Sequence, residues 1–337
     1  MQYADAVVTI VDVARAAGVS KSTVSRVLDE RLPRSTSSTA DRVRKVAADL
    51  GYVRDPLASG LRRVGTSTIG VVVPHLTDTV MAMIYEEIAA AAAARSLFAV
   101  VASTDDDPDT ERVAVESLVR RRVDGLILTT ARIDTPIALG PANHALPLVL
   151  ALRTNDTNSA SLGDDRLGAH LATRHLLDLG HRRIGLLCGP PYASSARDRE
   201  AGYRDALTEA GIPVDETLLA GDSFSMQAGE TAGRTLLVRP DRPTAIFAVN
   251  DNTAIGVMAA AHALGLHVPD DLSLVGYNDI PVVSRLPVPL TTVRVPFPQI
   301  AANALELLRE AGNGAPARTL VAAPTLIPRR STVAPTR

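Results

Sequence analysis

Residues 9–28 read TIVDVARAAGVSKSTVSRVL, and their spacing predicts two short helices joined by a tight turn. Thr9 followed by Asp12 fits a capping box, so a helix can begin at Ile10. Ile10, Val13, Ala14 and Ala17 then fall at i, i+3, i+4 and i+7, one helical face. Gly18 suits the left-handed residue that ends a helix, and Ser20 can cap the next one. In that second helix Val24, Val27 and Leu28 point inward, and Lys21, Ser22, Ser25 and Arg26 form the opposite stripe. An arginine so placed can bond guanine through two N–H groups, and serine or threonine can bond bases or phosphates. A helix-turn-helix sets the start of its second helix in the major groove in this way. On these residues alone an ordinary helical hairpin with a solvated outer face remains the alternative.

Outward from this stretch, a third helix fits 39–50. Ser38 and Asp41 form another capping box, Ala40, Val43, Ala47 and Leu50 line one side, and Gly51 is a C-terminal stop. Three small helices make a module of about 50 residues, near the lower limit for a stable core. Residues 1–63 carry a charge of +4 and the remaining residues −6, within a net charge of −2 for all 337 residues. A basic head on an acidic body fits a phosphate-binding module joined to a domain that does not touch DNA.

The chain resembles the LacI-type transcriptional regulators, the lactose and purine repressor family. The resemblance runs through DVARAAGVSKSTVSRVL at 12–28, RVRKVAADLGYVRDPLASGLR at 42–62, IGVVVP at 69–74, RVDGLIL at 122–128, LGHRRIGLLCGP at 179–190, REAGYRDAL at 199–207, FAVND at 247–251, LSLVGYNDI at 272–280 and PLTTVR at 289–294. It implies an α/β two-lobe periplasmic-binding-protein type I core with parallel sheets, behind an N-terminal all-α helix-turn-helix DNA-binding domain. It implies a homodimer on a pseudo-palindromic operator in double-stranded DNA, a small-molecule, sugar-like effector between the lobes, no cofactor, and no membrane. The DNA contacts it implies are Thr9, Lys21, Ser22, Thr23, Ser25, Arg26 and Leu61.

Residues 1–54 are accordingly expected to be the DNA-binding domain, 55–65 a hinge, and 66–337 the effector and dimerisation domain. Asp55 can cap and Pro56 suits a first helical turn, so 56–61 can form a hinge helix far too short to stand alone. By resemblance, Leu61 takes the place of a leucine that wedges between base pairs from the minor groove; a linker residue packed on its own domain is the alternative. The family commonly has Asn, Arg and Ser where this chain has Asp55, Ser59 and Gly60, which removes a cation and loosens the helix.

Behind the hinge, apolar runs at 69–73, 97–102, 123–128, 147–152, 183–188, 244–249 and 272–277 alternate with amphipathic stretches, the pattern of parallel sheets covered on both faces. The series divides near Leu162–Asp164. The N-lobe is expected at 66–162 plus 291–318, with Phe297–Glu310 returning to it, and the C-lobe at 163–290 plus 319–337.

Effector contacts carried over by resemblance are Val80, Met81, Arg199, Phe224, Asn250 and Asn278. Arg199 has a planar fork suited to vicinal hydroxyls or an acid, although it could pair with Asp198 or another carboxylate. Asn250 could instead cap the helix that follows it. Where many relatives carry a stretch like Asn-Pro-Phe-Phe, this chain has Asp78–Met81, and the family's pocket aspartate is here Asn278, with Asp279 next. Phe224 is left as the one remaining ring, and a less hydroxylated or more acidic ligand than a plain sugar is expected.

Other features exclude other classes. No P-loop, no Ser/His/Asp signature and no Gly-rich dinucleotide loop is present, so no enzyme is expected. One cysteine, Cys188, rules out an internal disulfide and a cysteine-based zinc cluster, and it reads as a small core residue. Asp105–Asp107 reads as a solvated loop and His181 as a loop contact. The first 20 residues lack a basic start and no apolar run reaches the roughly 18 residues of a membrane span, so a cytoplasmic protein is expected. These features oppose a transport solute-binding protein, which would share the two-lobe fold.

Overall fold

The computed structural model describes residues 8–28, 35–52, 66–137 and 146–335. The chain divides into two compact units, Met1–Thr66 and Ser67–Arg337. The hinge helix expected at 56–61, Leu61 within it and the 55–65 linker lie outside the described residues.

The first unit holds three helices: α1 (Ile10–Ala17), α2 (Lys21–Val27) and α3 (Ser38–Asp49). Each starts where a side chain satisfies an orphan N–H. The N–H and hydroxyl of Thr9 both donate to the Asp12 carboxylate, and Ser20 accepts from Thr23 N–H. The third cap lies one residue earlier than the capping-box reading placed it, because Ser37 accepts from Ala40 N–H and Ser38 is already helical. Gly18 ends α1 at φ +65°, a left-handed geometry that costs a side chain strain. Val13, Ala14, Ala17, Val24, Val43 and Ala47 close the small core. Leu50 stays exposed, since α3 ends at Asp49 and the chain turns at Gly51.

The second unit contains two parallel sheets. The first takes β1 (Thr68–Val73), β2 (Phe98–Ser103), β3 (Leu126–Leu128), β4 (Leu148–Ala151), β5 (Ala160–Gly163) and β11 (Thr319–Ala322), in the order β11-β5-β4-β3-β1-β2. The second takes β6 (Ile184–Leu187), β7 (Leu219–Ala220), β8 (Ala245–Ala248) and β9 (Ser273–Val275), in the order β7-β6-β8-β9. Strands such as β1 and β4 are continuous apolar runs because helices cover both faces. The first lobe carries α4 (Thr79–Ala93) and α5 (Pro108–Arg120). The second carries α6 (Asp165–Asp178), α7 (Ser194–Glu209), α8 (Met226–Leu237) and α9 (Asp251–Ala263). The chain then returns through β10 (Thr292–Arg294) to α10 (Phe297–Gly312), which packs on α4, β4 and β5 of the first lobe.

The tail departs from the sequence reading. Residues 319–337 do not all belong to the second lobe, because β11 pairs in parallel with β5 and completes the first sheet. The apolar part of this strand is short and on a sheet edge, so it carries little periodic signal. The chain then forms β12 (Thr325–Ile327), antiparallel to β10, and only afterwards reaches the second lobe, where Ser331 O accepts from Leu274 N–H. His181 fastens the end of this segment, with Nδ1 on Thr244 Oγ1 and Nε2 on Val333 O, each at 2.8 Å.

α6 and α7 approach so closely that a Cβ on Gly202 would lie 2.0 Å from Arg166 O. Among the described residues no helix is long and apolar enough to cross a membrane, and no group of three or more His, Cys, Asp or Glu is placed to hold a metal. Burial pushes the Cys188 thiol up to about 12, which leaves it without thiolate reactivity near neutral pH.

Candidate functional site

In the head, the caps and the core fix which side of α2 is left outside. Val24 is fully buried, while Lys21, Ser22 and Arg26 are exposed and Thr23 and Ser25 half-exposed. Lys21 and Arg26 form no ion pair among the described residues, so both cations are presented to solvent. Ser22 and Thr23 each share a hydrogen bond with Ser20 Oγ, at 2.8 and 2.9 Å. The Thr9 hydroxyl is held by Asp12 at 2.6 Å, at the start of α1.

In the second unit a cavity of about 420 Å³ opens at the C-terminal ends of the strands of both lobes, the usual ligand position in open α/β sheets. Val80, Met81, Arg199, Phe224, Asn250 and Asn278 all line it. Val80 and Met81 reach the wall from the first turn of α4, which the Asp78 carboxylate caps through Val80 N–H.

Arg199 is buried and fully positioned. Its Nε donates to Asp165 Oδ1 at 2.8 Å, one Nη donates to Val249 O at 2.7 Å, and its guanidinium lies 3.9 Å from the Tyr277 ring centroid. The partner is thus Asp165, not Asp198, whose carboxylate binds Arg197. Burial pushes the Asp165 carboxyl up, and Arg199 limits that rise.

Asn250 both caps and lines. Its Oδ1 accepts from Thr253 N–H at 2.8 Å, starting α9, and its Nδ2 donates to Phe224 O at 2.9 Å, holding the loop that carries the ring. Asn278 sits at φ +108°, in a region few side chains adopt. Asp279 turns elsewhere, accepting from Arg294 at 2.7 Å and Arg329 at 2.6 Å. An amide therefore stands on the wall, and the neighbouring carboxylate serves the interlobe segment.

Sequence reasoning missed one side of the cavity. Arg153, beyond β4, donates from Nη1 to Asp106 at 2.9 Å, and Tyr192 OH donates to the same carboxylate from the second lobe at 2.9 Å. Tyr192 is a second ring on the wall, so Phe224 is not the one remaining aromatic. Arg132 stacks 3.5 Å above Tyr192. The acidic run is likewise more than a solvated loop: Asp107 caps α5 through Thr110 N–H, while Asp106 is largely buried against Arg153. Asp78, Asn252 and Asp165 also line the cavity. The available signal was position, since Asp106, Arg153, Asn250 and Asn278 each follow the end of a parallel strand by two or three residues. Further bonds join the lobes: Thr154 N–H to Ser194 Oγ at 2.8 Å, Arg197 to Asp156 at 3.1 Å, and Asn252 Nδ2 to Asp78 Oδ1 at 3.4 Å.

Asp251, beside Asn250, is buried at the head of α9 and accepts from Thr292 Oγ1 at 2.6 Å and Ile280 N–H at 2.9 Å. Burial pushes its carboxyl up to about 7. A carboxyl raised on folding stabilises below its unfolded pKa of about 4 and loses that contribution as pH rises through the folded value. Thermal melts from pH 5 to 8 should therefore fall more steeply for the parent than for Asp251→Asn, whose Oδ1 can accept Ile280 N–H while its Nδ2 donates to the Thr292 hydroxyl. Parallel curves would mean that Asp251 titrates normally.

The description "Bacterial regulatory proteins, lacI family" matches residues 9–55, and "Periplasmic binding protein-like domain" matches 173–332. The chain is 35% identical to the HTH-type transcriptional regulator GalR of Escherichia coli K12, over 97% of this chain and 96% of that one. It is 31% identical to the transcriptional repressor CytR of the same strain, over 91% and 90%. Among solved structures it is similar to the Lac repressor dimer bound to operator and the anti-inducer ONPF, with a TM-score of 0.87 and 30% identity over 97% of this chain and 99% of that one.

Proposed function

We propose how this chain works from the premise that it belongs to the LacI family of bacterial regulatory proteins. It is a sequence-specific DNA-binding transcriptional repressor, a dimer whose operator affinity is set by a small molecule of the sugar class held in the second unit. The observation that carries the DNA half is the outer side of α2, where Lys21 and Arg26 stand exposed, without an ion pair among the described residues, on a helix whose other side is locked into the core. Arg26, Lys21, Ser22, Thr23 and Ser25 are the proposed contacts to bases and phosphates, with Thr9 at the phosphate backbone. Leu61 is proposed, on sequence alone, as the minor-groove wedge.

The effector half rests on the cavity and its cross-lobe bonds. A ligand that touches both walls adds to, or competes with, contacts such as Tyr192–Asp106, and so shifts the balance between lobe arrangements by its differential affinity for them. The coupling is reciprocal: DNA alters effector affinity by the factor by which effector alters DNA affinity. The cavity binds its ligand without turning it over, in keeping with relatives that are transcriptional regulators. A chain acting on the bacterial chromosome works in the cytoplasm.

A gel-shift assay against DNA from upstream of the chain's own gene and its neighbours tests this. Saturable binding that survives non-specific competitor is expected, and its absence from every segment would remove the proposal. Arg26→Ala should cost ~1–3 kcal/mol at the cognate site and relax preference at one base pair. An equal loss on all DNA would make Arg26 a phosphate contact instead.

A further inference from the structure

We propose that the ligand of this cavity carries a protonated amine, seated between Asp78 of the first lobe and Asn252 of the second. The inference rests on the cavity being the effector site and names the chemistry of its occupant. The wall holds four carboxylates, Asp78, Asp105, Asp106 and Asp165, against Arg153, Arg199 and His75. Each of those three basic side chains already faces an acid: Arg153 meets Asp106, Arg199 meets Asp165, and His75 Nδ1 lies 3.3 Å from Asp105. Among the described residues of the wall, each cation thus has an acid beside it before any ligand arrives. The more acidic ligand expected from the sequence thus meets no free charge partner.

Asp78 is the carboxylate left over. Its Oδ1 accepts Val80 N–H at 3.0 Å and the Asn252 amide at 3.4 Å. Its Oδ2 has no hydrogen-bond partner among the described residues, and burial pushes the carboxyl up, a rise that the more distant His75 and Arg153 only partly offset. Asn252 supplies a second, independent vacancy. It is 9% exposed, lines the same cavity, and its Oδ1 is buried without a partner. A buried acceptor left unmade is costly. Two side chains that meet across the lobes thus each keep one oxygen, Asp78 Oδ2 and Asn252 Oδ1, without a protein donor among the described residues. A hydroxyl satisfies the hydrogen bond but leaves the charge; an ammonium supplies three donors and the charge together. Because Asp78 and Asn252 belong to different lobes, such a group would also tie the lobes across the cavity.

The test is titration calorimetry on the full chain with three matched triads: galactose, galactosamine and galacturonate; glucose, glucosamine and glucuronate; glycerol, serinol and glycerate. The amine member of at least one triad is expected to bind roughly tenfold or more tighter than its neutral partner, as a charge-assisted bond should, and Asp78→Asn should erase that difference. Asn is itself a good helix cap, so the variant keeps the start of α4. Three triads in which no amine binds, or in which the neutral or acidic member binds as well, overturn the proposal. In the second case, loss of that binding in Phe224→Ala leaves the cavity reading standing. Binding by every member that survives both Asp78→Asn and Phe224→Ala lies elsewhere and removes both.

Discussion

Arg199→Ala is expected to lower the stability of the chain by about 3–5 kcal/mol, because it strands Asp165 as a buried charge without a partner. The residue is 8% exposed and Asp165 7%, so water cannot take over. The substitution also orphans Val249 O and strips the cation from the face of Tyr277. Most of the loss is the penalty on Asp165 rather than the net worth of the ion pair, so Arg199→Ala combined with Asp165→Ala should recover part of it. Arg199→Lys keeps the charge but not the forked, stacked geometry, and should fall between. Urea unfolding of the four proteins measures this. Within the folded fraction, the response of operator binding to effector should vanish in Arg199→Ala while operator binding itself persists. A stability loss under about 1 kcal/mol would show that the pair is solvated and that its burial is misread.

Gly202→Ala should cost about 3 kcal/mol, the upper part of the range for over-packing. In an unconstrained helix the same change is worth up to about 1 kcal/mol of stabilisation, so the sign itself is the test. The added Cβ would meet Arg166 O at 2.0 Å, with Ala169 Cβ and His170 N at 2.9 Å, and the nearest obstacle is backbone that cannot swing aside. Relief requires α6 and α7 to separate. Arg199 lies one turn before Gly202 on α7, and Asp165 lies beside Arg166 on α6, so separation also lengthens the Arg199–Asp165 bond. The variant should thus lose effector response as well as stability, and its cost should not add to that of Arg199→Ala. A melting temperature at or above that of the parent would refute the close approach.

The head was readable because everything that defines it is local. Thr9–Asp12, Ser20–Thr23 and the 3.6-residue rhythm of the apolar positions all lie within 20 residues. The slips fell at the ends of α3: Ser37 caps in place of the adjacent Ser38, and Leu50 lies past the last helical residue and stays exposed. The six cavity residues carried over from the family resemblance line one space, but their pairings were not readable. Asp106 meets Arg153 across 47 residues and Tyr192 across 86, and nothing local distinguishes such a carboxylate from a solvated one. Asn278 and Asp279 were visible as a pair, but which of them faces the cavity is decided by positive φ at both residues and by Arg294 and Arg329. The tail failed for a related reason: β11 belongs to a sheet whose neighbouring strand is more than 150 residues earlier.

That threading of the tail has a consequence for synthesis. The first lobe lacks its edge strand until residues 319–322 have been made, and the second lobe lacks the segment that bonds Leu274 and His181 until residues 331–333 have been made. Neither half can therefore finish folding as an independent body while the chain is still emerging from the ribosome. The head, complete by residue 52, has no such wait. A nascent chain passes through a stage in which the DNA-reading module is formed and the ligand-reading module is not. Residues 319–333 are thus the step that places the first activity under the control of the second.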